Sequence, residues 1–286
     1  MAKILVTGGS GKLGRAVLRD LVEHGYEVVN LDQHPLPEPI CPTIRIDLSN
    51  FGEVAAAVLG GIDEKSGPFD AVVHLAAIPA PGLAANARTI TNNVTATYNI
   101  FEACRLAGIK NVVFASSETV LGLPFDTPPP YVPVDEEYFP RPESAYSLGK
   151  LLDETMAAQF CRWDKDLRIV GLRFSNVMYP EDYAAFESFD SDPKKRKWNL
   201  WAYIDARDGA QAVRRAILAD FKGFEAFIIA NADSVMSRSN MSLLAEVFPE
   251  VDQRGNIATN STLLSIDKAK KMLGFSPQHS WRNAAG

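Results

Sequence analysis

The chain is poor in the two residue types that most often build metal sites and disulfide frameworks. Its 286 residues include only three cysteines and four histidines. Cys41, Cys104 and Cys161 are scattered and odd in number, which argues against a disulfide framework or a zinc cluster. The histidines also lack the spacing of zinc ligands. We therefore expect no bound metal.

Long apolar runs and a strong charge of either sign are lacking too. No apolar run reaches membrane-spanning length, and the N-terminus lacks the basic stretch and apolar segment of a signal peptide. The net charge is a modest -6, and the one basic run, Lys194 to Lys197, follows two acids as in a solvated loop. These absences predict a soluble, cytoplasmic protein that binds neither membranes nor nucleic acid.

A glycine-rich motif is present between an apolar strand and an amphipathic helix near the N-terminus. It reads Thr-Gly-Gly-Ser-Gly-Lys-Leu-Gly over residues 7–14. Glycines at such a turn let the backbone approach a pyrophosphate, which is also attracted by the amides and positive dipole end of the helix. The motif therefore predicts a dinucleotide site, and its candidate residues are Gly8, Ser10, Gly11, Lys12, Leu13 and Gly14.

An acid at the end of the second apolar run bears on the choice of dinucleotide. The run begins at Glu27 and ends in Asp32, eighteen positions after Gly14. A carboxylate there accepts hydrogen bonds from the adenosine ribose hydroxyls and repels the extra phosphate of NADP. The sequence thus favours NAD, although Arg15 and His34 are close enough in sequence to bind a phosphate.

Short apolar runs and helical stretches alternate through the first 177 residues. Such alternation predicts an α/β fold with a doubly wound parallel sheet of the Rossmann type. We assign 1–177 to a NAD-binding domain, to which a strand and helix from about 200–230 return, and 178–286 mainly to a small substrate-binding lobe. The proline-rich segment 123–142 predicts a surface loop, 179–199 a lid or wall of the cleft, and 283–286 a frayed end.

Tyr146 and Lys150 lie four residues apart in a stretch with the pattern of an amphipathic helix. Positions i and i+4 share one face of a helix. A phenol is a poor base near neutrality unless a nearby ammonium stabilises the phenolate. The spacing alone would also fit a solvated helix face. Together with the dinucleotide motif it indicates a proton-transfer pair.

Eight motifs in order make the chain resemble the extended short-chain dehydrogenases/reductases, the group that contains the NAD-dependent sugar epimerases, dehydratases and dehydrogenases. They are residues 7–14, 32, 47–48, 73–77, 93–97, 114–117, 146–150 and 172–177. The resemblance implies a Rossmann fold, NAD as the cofactor and a homodimer formed by helices near 89–107 and 146–160. The dimer candidates Ile100, Phe101, Leu151 and Met156 would fit a core equally well.

The resemblance also implies residue roles. Tyr146 would be the general acid/base, Lys150 would support it and hold the nicotinamide ribose, and Ser117 would hydrogen-bond the reacting oxygen. Asn93 would complete a proton relay through its helix and a water. The further implied cofactor contacts are Asp47, Leu48, Leu75, Ala76, Ala77, Phe174 and Val177. The candidate substrate contacts are Ile78, Ser117, Glu118, Thr119, Arg173, Asn176, Trp201, Tyr203 and Arg207.

Three functions stay open. The small lobe and the likeness of residues 114–122 to uronate dehydrogenases favour a NAD-dependent dehydrogenase acting on a hydroxyl of a sugar or sugar-like polyol. The alternative is a nucleotide-sugar 4-epimerase, in which the hydride leaves and returns on tightly bound NAD. A non-catalytic NAD sensor is the third, but sensors of this fold typically lose the Tyr and Lys pair.

Glu118 makes one substrate class doubtful. Uronate dehydrogenases carry amide and imidazole donors where this chain has Glu118 and Thr119. An inward carboxylate would repel a sugar acid, whereas a carboxylate that faces solvent or pairs with Arg141 or Arg173 would not.

Overall fold

A parallel sheet organises the computed structural model, which describes residues 1–60 and 68–283. The strands are β1 (Lys3–Thr7), β2 (Glu27–Asp32), β3 (Thr43–Arg45), β4 (Ala71–His74), β5 (Asn111–Ser117), β6 (Tyr131–Val132), β7 (Arg168–Phe174), β8 (Val177–Met178), β9 (Ile204–Asp205), β10 (Gly223–Ile229) and β11 (Asp252–Gln253). The expected frayed end at 283–286 lies largely outside the described residues.

Helices connect the strands. They are α1 (Lys12–Glu23), α2 (Phe51–Val58), α3 (Asn86–Ala107), α4 (Ala145–Trp163), α5 (Ala206–Ile217), α6 (Asn240–Val247) and α7 (Asp267–Leu273). Short 3₁₀ helices cover Glu118–Leu121, Pro180–Phe189, Pro193–Lys195, Lys197–Asn199 and Trp281–Asn283. Among the described residues, none of these helices is long and apolar enough to cross a membrane.

The strand order of the main sheet creates the crevice in which ligands of such folds bind. The order is β10-β7-β5-β4-β1-β2-β3, and every pairing in the sheet is parallel. Successive strands are added on one side of β1 as far as β3 and then on its other side from β4, so the connections after β1 and β4 leave on opposite faces and open a crevice at the carboxyl ends. The predicted doubly wound α/β sheet is confirmed.

Both faces of the sheet are buried, which explains why its strands read as continuous apolar runs. Ile4 and Val6 of β1 pack into the core beneath α1 and α5, and Leu5 packs into the core beneath α2, α3 and α4. Successive side chains of a strand point to opposite faces. An uninterrupted apolar strand is therefore what a two-sided core requires.

The segments after residue 177 divide between the sheet and the cleft wall. β10 extends the sheet beyond β7, and α5 packs against α1. β8 pairs with β9 in a separate two-stranded sheet. These placements agree with a strand and helix returning to the first domain, while the boundary between domain and lobe stays a prediction.

The expectation of a surface loop over 123–142 needs correction. Phe125, Val132 and Val134 are buried, and β6 within this segment pairs with β11. Prolines allow this because the two-residue strand is short and lies outside the main sheet. The segment is thus partly buried and is tied to the C-terminal residues by the pairing of β6 with β11, while positions such as Phe139 stay exposed.

A buried ion pair joins α4 to β7. Glu154 accepts hydrogen bonds from Arg173 Nε at 2.9 Å and from the Ser116 hydroxyl at 2.6 Å, and its second oxygen accepts from a terminal nitrogen of Arg173 at 2.8 Å. Both side chains of the pair are about 95% buried. The prediction that Arg173 contacts substrate is therefore wrong for this structure, because its guanidinium is used in holding the helix to the sheet.

Arg173→Met should lower the free energy of unfolding by about 3 kcal/mol, because it leaves the Glu154 carboxylate buried without its partner. Urea denaturation followed by circular dichroism measures the change. The control is Lys222→Met, which breaks the exposed pair of Lys222 and Asp166 and should leave the unfolding midpoint almost unchanged. Equal effects of the two substitutions would contradict the structural role of Arg173.

Candidate active site

A cleft of about 980 Å³ opens at the carboxyl ends of the central strands. It gathers nearly all of the residues that the sequence singles out, over a span from Gly8 to Val177. Those that line it are Gly8, Ser10, Gly11, Lys12, Leu13, Gly14, Asp32, Asp47, Leu48, Leu75, Ala76, Ala77, Ile78, Ser117, Glu118, Thr119, Tyr146, Lys150, Phe174, Asn176 and Val177. Their individual roles stay predictions.

The glycine loop leaves a cradle that side chains would fill. Gly8 has a φ of +76°, and a Cβ there would lie 2.5 Å from the backbone nitrogen of Ala76. A Cβ on Gly14 would lie 2.1 Å from the carbonyl oxygen of Gly8. Gly11 begins α1 without a side-chain cap, so the first amides of the helix are left to other acceptors. The loop therefore fits a pyrophosphate.

Asp32 stands at the end of β2 beside this loop, as predicted. Its two carboxylate oxygens accept hydrogen bonds from the backbone amides of Ser10 and His34, each at 2.9 Å. These bonds hold the carboxylate at the mouth of the cleft, where ribose hydroxyls could donate to its remaining lone pairs. Farther along the same wall, hydrogen bonds from Ser49 hold the pKa of Asp47 below its usual range.

The paired tyrosine and lysine lie on the inner face of α4. Ser144 caps the helix by accepting from the Ser147 amide at 3.1 Å, and Ser147 returns a bond to the Ser144 amide. This capping box sets the start of the helix one residue before Tyr146. Tyr146 is 8% exposed and Lys150 is 4% exposed. The structure therefore places the pair inside the cleft.

Three groups set the position of the Lys150 ammonium. Its Nζ donates to the Ala115 carbonyl at 2.7 Å, lies 3.6 Å from Asp153 Oδ2 and is 5.9 Å from the centre of the Tyr146 ring. Burial raises the pKa of Asp153 to about 6, although the nearby positive charge of Lys150 acts to lower it. A lysine held in this way presents a fixed positive charge beside the phenol.

Ser117 ends β5 opposite Tyr146. Its oxygen accepts from the amide of Thr119 at 3.2 Å and from the Thr119 hydroxyl at 3.0 Å. Since both bonds use its oxygen as acceptor, the Ser117 hydroxyl hydrogen stays available for a ligand oxygen. This arrangement suits the predicted role of Ser117 as a donor to the reacting group.

Asn93 does not line the cleft. Its side-chain oxygen accepts from the Ile78 amide at 2.8 Å, and its nitrogen donates to the Ile78 carbonyl at 3.0 Å. The amide therefore fixes the loop between β4 and α3, which carries cofactor-lining residues. The relay role that the resemblance implies for Asn93 stays a prediction, and what the structure shows is a positioning role.

Three other predicted substrate contacts lie away from the cleft, and for each the prediction needs correction. Trp201 is fully buried and donates from Nε1 to the Pro193 carbonyl at 2.8 Å. Tyr203 donates to Asp233 at 2.8 Å. Arg207 pairs with both oxygens of Asp205 at 2.8 and 2.9 Å. Each has a partner within the lobe and none lines the cleft, although the Arg207 side chain is about half exposed.

Glu118 neither faces solvent nor pairs with Arg141 or Arg173. It is 3% exposed, lines the cleft and accepts from the Asn199 amide at 3.2 Å. Burial raises the pKa of Glu118 to about 7, although Ser175, Asn199, Arg196 and the backbone of Asn176 favour the charged form. The cleft thus contains a carboxyl that titrates near neutrality.

Sequence reasoning missed several residues of the site. Ser175, Trp198 and Arg88 line the cleft, and Asn30 holds the glycine loop by accepting from the Gly9 amide at 2.9 Å. An asparagine within a buried apolar strand is a detectable signal, because a buried amide needs partners. Trp198 and Arg88 carry no such local signal, since their segments reach the cleft only through the tertiary fold.

The residues present fit a nicotinamide dinucleotide. The glycine cradle suits a pyrophosphate, the carboxylate of Asp32 suits an unphosphorylated adenosine ribose, and Lys150 and Tyr146 lie at the other end of the same cleft. Within residues 1–60 and 68–283, no group of three or more histidine, cysteine or acidic side chains could hold a metal ion.

Comparisons with known proteins agree with this geometry. The profile of the NAD dependent epimerase/dehydratase family matches residues 4–196. The UDP-glucose 4-epimerase of Mus musculus is 30% identical over 220 residues, 71% of this chain and 61% of that protein. A bifunctional UDP-glucose 4-epimerase and UDP-xylose 4-epimerase of Pisum sativum is 30% identical over 71% of this chain and 59% of its own length. This chain thus spans less than two thirds of both relatives.

Solved structures show the same fold. A UDP-galactose 4-epimerase superposes with a TM-score of 0.71 at 28% identity, covering 99% of this chain and 95% of that one. MoeE5 in complex with UDP-glucose and NAD superposes with a TM-score of 0.72 at 25% identity, covering 99% of this chain and 96% of that one. A mutated uronate dehydrogenase superposes with a TM-score of 0.66, but at 22% identity this likeness shows the fold alone. The predicted family resemblance and NAD as cofactor are confirmed by the family profile.

Gly14→Ala should lower the free energy of unfolding by about 1–3 kcal/mol without cofactor, because its Cβ would overlap the Gly8 carbonyl. It should also abolish NAD binding, measured by calorimetry, because the loop must shift. The matched control is Gly11→Ala, whose Cβ would lie 3.2 Å from the same oxygen. A larger loss of cofactor-free stability in the control would contradict this account.

Glu118→Gln should stabilise the protein more at pH 8 than at pH 5. In the wild type, folded Glu118 keeps a proton that the unfolded chain loses above its usual pKa of 4.5, so stability falls as pH rises until the folded pKa of about 7 is passed. The pKa shift of Glu118 corresponds to a change of at most about 3 kcal/mol in the free energy of unfolding. Thermal unfolding across this pH range measures it. Glu187→Gln, at an exposed position, should show no such pH trend, and a trend shared by both would refute the assignment.

Proposed function

The chain belongs to the NAD-dependent epimerase/dehydratase family, and on that premise we propose that it is an epimerase that inverts a hydroxyl-bearing carbon of a nucleoside-diphosphate sugar. The observation that carries the proposal is the meeting of Tyr146, Lys150 and Ser117 in one cleft with the glycine cradle. The relatives named for UDP-glucose 4-epimerase activity favour the epimerase alternative over the dehydrogenase that the sequence puts first.

Each residue of the site has one task in such a reaction. Bound NAD would supply the acceptor for a hydride from the sugar carbon and the donor that returns it. Tyr146 takes the hydroxyl proton as that hydride leaves and returns it when the carbon is reduced from its other face. Ser117 donates a hydrogen bond to the same oxygen, and the Lys150 ammonium stabilises the phenolate between the two transfers. The substrate proton and the hydride are both returned, so no net NADH forms.

A second observation favours epimerisation over net oxidation. The segment that follows β8 contacts the glycine loop: Lys12 pairs with Asp182 at 2.6 Å, and the Tyr179 hydroxyl donates to the Lys12 carbonyl at 2.8 Å. These contacts lie beside the glycine loop that would hold the pyrophosphate. An enzyme that returns its hydride gains from slow release of the cofactor, whereas a dehydrogenase must exchange it every turnover.

We propose a homodimer and a cytoplasmic location, as expected from the sequence. The predicted dimer residues Ile100 and Phe101 belong to the core, and Leu151 and Met156 pack against it. Other apolar side chains on α3 and α4 are exposed and supply the face that such a dimer would cover. They are Tyr98, Leu106, Leu148, Leu152 and Trp163.

Tyr146→Phe should lower the epimerisation rate by roughly 100-fold to 10,000-fold while leaving NAD binding within about threefold, because only the proton-transfer group is removed. The assay is conversion of UDP-glucose to UDP-galactose by chromatography, with NADH absorbance recorded in parallel. Tyr26→Phe removes a hydroxyl outside the cleft and serves as the control.

Two results would contradict the proposal. Stoichiometric accumulation of NADH with UDP-glucose would identify net oxidation and restore the dehydrogenase hypothesis. A Tyr146→Phe protein as active as Tyr26→Phe would remove Tyr146 from the chemistry. Tight NAD binding without any turnover would favour the sensor, which the intact pair of Tyr146 and Lys150 argues against.

A further inference from the structure

The buried polar atoms of the cleft are not all satisfied by the protein. Among the described residues, none gives a regular hydrogen bond to Oε2 of Glu118 or to the hydroxyl oxygen of Ser175. Ser175 is 3% exposed, and both residues line the cleft. Buried polar groups normally have partners, because each one left alone costs about 1–3 kcal/mol. The two groups lie close enough for the Ser175 hydroxyl to favour the charged form of Glu118, yet no regular hydrogen bond joins them, which points to a ligand group that completes both.

The position of Glu118 is set from the opposite side by a strained turn. Leu200 and Trp201 are buried non-glycine residues with φ of 54° and 58°, in the left-handed region. The turn is held because Ala202 accepts from Arg196 at 3.0 Å and from Asn199 at 2.8 Å. The Asn199 amide also donates to Oε1 of Glu118. One carboxylate oxygen is thereby anchored, and the other receives no regular hydrogen bond from the described residues.

We propose that Glu118 and Ser175 together bind the C6 hydroxyl of the sugar, the group that a uronate carries as a carboxylate. The site would then select an uncharged hexose over the corresponding uronate. The inference rests on the proposed function. A sugar hydroxyl donates to the Glu118 carboxylate and accepts from the Ser175 hydroxyl, so a single group satisfies both. A substrate carboxylate in the same place would offer only acceptors and would set two negative charges side by side in a buried site.

The groups that set the charge of Glu118 are all residues of this chain. Arg196 is the cation that favours the charged form of Glu118, yet it is held by Ala202 and stacks on Trp198 with its guanidinium carbon 4.7 Å from the ring centre. It forms no ion pair with Glu118 within 4 Å among the described contacts. Arg196 therefore does not neutralise the carboxylate, which carries its negative charge at pH values above its pKa of about 7.

The test compares UDP-glucose with UDP-glucuronate, which differ only in the oxidation of C6. Binding to the NAD-loaded protein is measured by calorimetry at pH 8, and turnover is measured on the same samples. The wild type should bind UDP-glucose at least about tenfold more tightly than UDP-glucuronate. Glu118→Gln should reduce that ratio at least about tenfold, because an amide can donate to a carboxylate.

Two further variants separate a specific effect from a general one. Ser175→Ala should weaken UDP-glucose binding by about threefold to tenfold, the worth of one hydrogen bond, without gaining affinity for UDP-glucuronate. Glu187→Gln removes the same charge from an exposed position and should leave the binding ratio unchanged.

The outcomes distinguish this inference from the proposed function. If Glu118→Gln leaves the binding ratio of the two sugars unchanged, the inference is overturned, even where the wild type epimerises UDP-glucose. If the wild type turns over neither sugar but Glu118→Gln shifts the ratio as expected, the inference holds and the epimerase assignment fails. Equal shifts in Glu118→Gln and Glu187→Gln would also overturn it, since the effect would then be one of net charge.

Discussion

The close approach of two loops at the sheet's switch point is the constraint on which the site depends. Gly8 comes so near to Ala76 that a Cβ would lie 2.5 Å from its backbone nitrogen. This contact joins the turn after β1 to the turn after β4, the two connections that leave on opposite sides of the sheet. The crevice between them therefore has fixed walls. Both turns carry predicted cofactor contacts, and these keep their separation because neither loop can move without the other.

The inner face of α4 shows how polar groups can be buried beside this constraint. The inner face of α4 carries Lys150, Asp153 and Glu154 where an ordinary amphipathic helix would carry apolar side chains. Each charge is offset locally, by the Ala115 carbonyl, by the neighbouring ammonium or by Arg173. Burial of the helix therefore costs less than three isolated charges would. The same burial also lowers the pKa of His74 to about 3, with the charge of Lys150 adding to the effect.

The sequence predicts what depends on local order and misses what depends on distant pairing. Alternating strands and helices predict the sheet, and the spacing of Tyr146 and Lys150 predicts a shared helix face, because both patterns lie within one segment. The burial of 123–142 depends on β11, more than a hundred residues away in the chain. Trp198 and Ser175 reach the cleft through contacts that no short motif encodes. The role of Asn30 is partly predictable, because a polar residue in a buried apolar strand indicates a hydrogen-bond partner without identifying it.

Two of the corrected substrate contacts are arginines whose charge offsets that of a buried acid. Arg173 and Arg207 were expected to contact the substrate, but each lies against a buried acid, Glu154 or Asp205. An acid buried in a domain of this size needs a cation nearby, so arginines near a cleft are used first for stability. Glu118 departs from that pattern, since it is buried and lines the cleft without such a pair. A carboxyl that the fold leaves only half satisfied is the group through which a shared fold can distinguish its own substrate.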